Sequence, residues 1–202
     1  MSRVRGGFTL IEVIVALTVA SLALGAGFAA LGIVRDRGGH AEEAARVALA
    51  GATQRALLMD WLSNARLQAP AGEQFQGEIV EENGKTMARL FFPTTARTPL
   101  EGTFTLVGLY IDEDPETPEQ GLVAELVGVV LGSEERRMEI VPEAAAMTIL
   151  YRPDVDGEVE WTDTWRGNTL PRGIEITLFP ADGDTLPRLL RLPIRVALGV
   201  AR

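Results

Sequence analysis

Twenty-two consecutive residues, Val13 to Val34, carry no charge. As a helix rising about 1.5 Å per residue they would reach roughly 33 Å, enough to cross a hydrocarbon core of about 30 Å. A basic start, Arg3 and Arg5, precedes the run. A secretory signal would have a shorter apolar region and a small-x-small cleavage site behind it, but here helix-compatible sequence continues past Arg35. The reading is a retained membrane helix. Arginine pairs flank both ends, Arg3/Arg5 and Arg35/Arg37, so the positive-inside rule alone leaves its orientation open.

Glu12 is out of place at the head of this segment. A carboxylate deep in a bilayer costs a few kcal/mol, so it either lies at headgroup level or pairs with a cation. Ser21, Gly25 and Ala29 recur at every fourth residue, a small-residue face that lets helices approach closely in lipid.

The rest of the composition removes whole classes of function. There is no cysteine, hence no disulfide framework, thiolate metal site or cysteine nucleophile. His40 is the single histidine, beside Gly38-Gly39, where a solvated turn residue is the expected role. With no Gly-x-Ser-x-Gly, phosphate loop or histidine metal pair, the sequence offers no active site, and no enzyme is expected. A net charge of −9 opposes nucleic-acid phosphates at long range, so no nucleic-acid partner is expected.

Gly7-Phe8-Thr9-Leu10-Ile11-Glu12, followed by a long apolar helix, resembles the processing site of type IV pilins and type II secretion pseudopilins. The resemblance implies a leader ending at Gly7, cleavage between Gly7 and Phe8 by the prepilin peptidase, and N-methylation of Phe8. It makes Glu12 the assembly glutamate that neutralises the terminal amine of a neighbouring subunit. Many members of the family carry a proline where this chain has Ala29, so no proline kink is expected there.

Arg35 to His40 reads as a polar break, after which Ala41 to Ala69 resumes a helical period through Val47, Gly51, Leu58, Trp61, Leu62 and Ala65, ended by Pro70 and Gly72. Beyond Gly72 strands are expected over 75–80 and 86–92, joined at Asn83-Gly84, and over 103–111, 122–131, 147–151, 174–179 and 189–198. The expected fold is α+β, a long N-terminal transmembrane and amphipathic helix packed on a mainly antiparallel, pilin-like β-sheet domain. The expected divisions are a leader over 1–7, a transmembrane helix over 8–34, its amphipathic continuation over 35–69, and a β-rich periplasmic domain over 70–202.

Asp112 to Glu119 and Asp154 to Gly157 are acidic enough to suggest calcium, but neither has the glycine at position six of an EF-hand loop. No cofactor is expected, with calcium left open. A second likeness covers about a quarter of the chain. Ile149 to Arg152, Trp161, Trp165, Leu170-Pro171-Arg172, Ile174 to Leu178 and Leu190 to Pro193 are similar to the J-type minor pseudopilin pattern. It implies a structural subunit near the pseudopilus tip that primes assembly and the export of folded proteins. Its partners would be the I- and K-type minor pseudopilins, the major pseudopilin and the inner-membrane assembly platform. The chain would be a single-pass inner-membrane protein with its globular domain in the periplasm. A type IV minor pilin, serving pilus assembly, adhesion or DNA uptake, is the alternative.

Overall fold

The computed structural model describes residues 9–70, 72–82, 85–100, 102, 104–129, 135–153, 160–181, 183 and 185–198. The chain divides into two compact units, Met1–Arg46 and Val47–Arg202. One helix, α1 (Leu10–Ser63), contributes residues to both.

In the first unit the helix follows from composition. No proline interrupts residues 10–63, and alanine and leucine dominate. Thr9 opens it, its carbonyl accepting the amides of Glu12 (3.1 Å) and Val13 (3.3 Å). The break expected at Arg35 to His40 is absent: the helix runs through Gly38-Gly39. A glycine costs about 1 kcal/mol relative to alanine within a helix, too little to end one flanked by strong helix formers.

In the second unit α1 supplies Leu58, Trp61 and Leu62 to the core, all fully buried. It ends at Ser63, not at the expected Ala69. The competitor is a strand end. Thr94 Oγ1 donates to the Trp61 carbonyl (2.9 Å), Arg66 N to the Pro93 carbonyl (2.8 Å), and Ala65 forms an antiparallel bridge with Thr94. These bonds satisfy helix-terminal groups that otherwise lack partners, and Ala65 and Ala69 are buried without being helical.

Eight strands lie among the described residues: β1 (Gln76–Glu82), β2 (Lys85–Thr94), β3 (Thr105–Asp112), β4 (Gly121–Gly128), β5 (Glu135–Val141), β6 (Ala144–Arg152), β7 (Gly173–Pro180) and β8 (Ile194–Ala197). They form two antiparallel sheets, ordered β1-β2-β3-β4-β5 and β6-β7-β8. The α+β architecture is therefore as expected. Pairing of Glu82 with Lys85 closes the β1–β2 hairpin in two residues; Asn83 and Gly84 themselves lie outside the described residues.

Alternation along the strands sends one face of each sheet inward. Leu90, Phe92, Leu109, Leu122 and Leu126 of the first meet Ile149, Tyr151, Ile174, Ile176 and Ile194 of the second in one buried cluster with the end of α1. Two strand expectations need correction. β5 is an addition to the expected strands, because its charged start Glu135-Arg136-Arg137 hides an edge strand. Residues 189–193 are not strand: Leu190 N bonds the Pro187 carbonyl (2.8 Å), forming a turn, and Pro193 brings no amide to a ladder.

Candidate functional site

Leu10 to Ala29 form a 20-residue apolar stretch of mean hydropathy 2.1 with none of it buried. By length and composition it suits a single membrane crossing. In lipid every polar group needs an internal partner, and the helix supplies one to its hydroxyls. Thr18 Oγ1 donates to the Ile14 carbonyl and Ser21 Oγ to the Leu17 carbonyl, each at 2.8 Å. Glu12 is different. It lies in the first turn, where a negative charge faces the positive end of the helix dipole. Among the described residues its exposed carboxylate has no hydrogen-bond or ion-pair partner. The spacing Thr9-x-x-Glu12 is that of a helix-start capping box. It places the single carboxylate of the apolar stretch in its first turn.

Gly7 and Phe8 lie outside the described residues, as does the side chain of His40, whose backbone is within α1. A methyl group added at Gly25 or Gly27 would meet nothing within 4 Å, so the Ser21, Gly25, Ala29 face is open. Residues 2–28 match the family model of the prokaryotic N-terminal methylation motif. This segment is type IV pilin-like. The methylation motif marks a prepilin peptidase substrate and a component of pilus-like assemblies, whose members are structural proteins. No curated protein matches the chain closely enough to count as a relative.

In the second unit the acidic run from Asp112 is knitted into itself. Asp112 Oδ1 accepts from Asp114 N and Asp114 Oδ1 from Glu116 N, each at 2.9 Å. Arg137 pairs with Asp112, and Lys85 Nζ with Glu113 Oε2 at 2.5 Å. Among the described residues no three metal-binding side chains gather in one place; Asp154 to Gly157 lie outside them. Arg137 and Arg89 also stack over Tyr110, at 6.0 and 5.9 Å from the ring centre, and burial raises the Tyr110 phenol pKa above its ordinary value.

Tyr151 and the Thr162 to Trp165 segment tie the two sheets together. Tyr151 and Thr162 exchange backbone bonds at 2.7 and 2.9 Å, and Gly77 and Trp165 do so at 2.8 and 2.7 Å. Phe75, Tyr151 and Trp165 stack in sequence, Phe75 meeting Tyr151 edge-on at 6.4 Å and Tyr151 lying 6.3 Å from Trp165. Gly77 admits the Tyr151 ring where any side chain would collide with it. No local spacing announces this pairing, because β1 and β6 are far apart in sequence.

Proposed function

We propose that the chain is a J-type minor pseudopilin of the type II protein secretion system, a structural subunit near the pseudopilus tip. The observation that carries this reading is the methylation motif, set on an apolar stretch, Leu10 to Ala29, whose single carboxylate, Glu12, has no partner among the described residues. Cleavage between Gly7 and Phe8 would leave an N-methylated Phe8. The new amine of one subunit would then meet Glu12 of the next, the charge pairing that an intramembrane carboxylate needs. The Tyr151, Trp161–Trp165 and Leu170-Pro171-Arg172 pattern supports the J-type assignment, and the presence of Glu12 argues against a K-type subunit, which usually lacks that glutamate.

In this reading the subunit has no chemistry of its own. Its partners are the prepilin peptidase, the I- and K-type minor pseudopilins, the major pseudopilin and the assembly platform, and its β domain faces the periplasm. Replacing Glu12 with alanine tests the role directly. Processing to Phe8 should persist, while co-purification with the I- and K-type subunits and export of folded proteins should fall. Unchanged secretion in E12A would contradict the role of Glu12, and co-purification with sheared pili in place of those subunits would favour a type IV minor pilin.

A further inference from the structure

The outer face of the β6-β7-β8 sheet bears a basic and aromatic depression. Strand alternation turns Leu150 and Arg152, Gly173 and Glu175, and Arg195 and Ala197 away from the core. The ladder aligns them in two rows, Leu150–Glu175–Arg195 and Arg152–Gly173–Ala197. Trp161, 39% exposed, reaches the second row. A Cβ on Gly173 would stand 4.0 Å from Trp161 Cη2 and 3.9 Å from Arg152 Cβ. With no side chain at Gly173 the face opens into a depression of about 660 Å³ whose lining includes Arg152, Trp161, Arg172 and Arg195.

Among the described residues the charges here are unbalanced. Arg195 Nε donates to Glu175 Oε2 at 2.5 Å, which occupies the one carboxylate in the lining. Arg152 and Arg172 are immediate neighbours, the Arg172 amide donating to the Arg152 carbonyl at 2.7 Å. Both side chains are exposed, and among the described residues neither guanidinium has an ion-pair partner. In a chain with 28 acidic and 19 basic residues, two neighbouring arginines without carboxylate partners among the described residues go against the overall charge balance.

Guanidinium forks match carboxylates two bonds at a time, and arginine and tryptophan are the residues that most often anchor protein interfaces. The surplus negative charge of the whole chain resists a phosphate polymer or an anionic bilayer over a Debye length, but resists a single acidic loop far less. Trp161 adds a flat apolar wall suited to the backbone and proline rings of such a loop. We propose that this face docks a carboxylate-rich loop of a neighbouring protein subunit. The proposal deepens the assembly role above and rests on it for the presence of that neighbour.

The test uses the full chain in detergent and two fluorescent peptides, followed by anisotropy. The first is Asp-Glu-Asp-Pro-Glu-Thr-Pro-Glu, the chain's own acidic run serving as a chemical probe; the second replaces its carboxylates with amides. The acidic peptide should bind at least about tenfold more tightly than the amide one. R152E/R172E should weaken binding by about tenfold or more, W161A should weaken it measurably, and R152K/R172K, which keeps the charge, should lose less than the reversal does. R188E, away from the depression, should change nothing.

Equal binding of both peptides, no binding at millimolar peptide, or indifference to R152E/R172E in a chain of unchanged melting temperature would each overturn the proposal. Asp154, Asp156 and Glu158 follow Arg152 in the sequence. Binding that emerges only in D154N/D156N/E158Q would mean that the chain's own carboxylates take the face, and would also overturn it. Peptide binding requires neither processing nor assembly. Its failure leaves the assembly role standing, and an unprocessed N-terminus sinks that role without altering the peptide result.

Discussion

A methyl group on Gly77 would stand 1.8 Å from the hydroxyl oxygen of Tyr151 and 2.2 Å from its Cζ. The tyrosine ring fills the space a side chain would occupy on β1, and the same glycine exchanges both backbone bonds with Trp165. One residue thus ties β1, β6 and the tryptophan segment together.

Gly77→Ala should therefore destabilise the β domain by about 1–3 kcal/mol, the usual cost of overpacking a tight site. Urea unfolding followed by tryptophan fluorescence checks it. Combining G77A with Tyr151→Leu should recover part of the loss, since the clash is with the phenol end, whereas additive losses would deny that the two residues share the space.

Gly51 of α1 faces Pro187, where a Cβ would come 2.5 Å from the proline Cβ. Helix propensity favours alanine over glycine by about 1 kcal/mol, so the sign of Gly51→Ala reports the contact. It should destabilise, while Gly39→Ala, with nothing within 4 Å, should be neutral or stabilising. Comparing the two melting temperatures separates packing from propensity.

Arg55 holds the turn before β8 through three carbonyls, its Nη1 donating to Leu189 (3.0 Å) and Leu192 (2.9 Å) and its Nη2 to Pro193 (2.9 Å). Arg55→Ala should cost about 1–3 kcal/mol. Arg55→Lys should recover only part of that, because an ammonium lacks the planar fork that spans three acceptors. Faster amide exchange at Ile194 and Val196 in both variants would register the loosened strand.

Burial pushes the Tyr151 phenol well above its ordinary value of about 10. The neutral form is the one the fold favours. Its contribution to stability is complete below the unfolded value near 10, and is lost as pH rises from there through the folded value. Alkaline unfolding of the native chain should be steeper above about pH 10 than that of Tyr151→Phe. Matching slopes would show that Tyr151 ionises as freely folded as unfolded.

The features legible in the sequence are those written locally. The uncharged run fixes a long helix, alternation fixes β6 and β7, and Gly7 to Glu12 is a contiguous motif needing no tertiary information. β5 is illegible because it is an edge strand. Its Arg137 looks like surface, yet it pairs across the ladder with Glu125 and in charge with Asp112, while Ile140 and Val141 are its buried residues and Met138 is half-buried against the core. The end of α1 escapes a local reading because Ala65 and Ala69 keep the helical period while the decision rests with Pro93 and Thr94, some thirty residues on. The Arg152, Trp161 and Arg172 face is likewise a product of strand register, which brings Arg152 opposite Gly173. No spacing rule finds such a pair.

The assembly role stands or falls on Gly7 to Glu12 being a processing and assembly site. Intact mass and N-terminal sequencing of the protein, recovered from membranes of cells expressing a prepilin peptidase, decide the matter. The expected product has lost Met1 to Gly7 and begins at Phe8 bearing one added methyl group. A chain still beginning at Met1 in the presence of active peptidase would contradict that role.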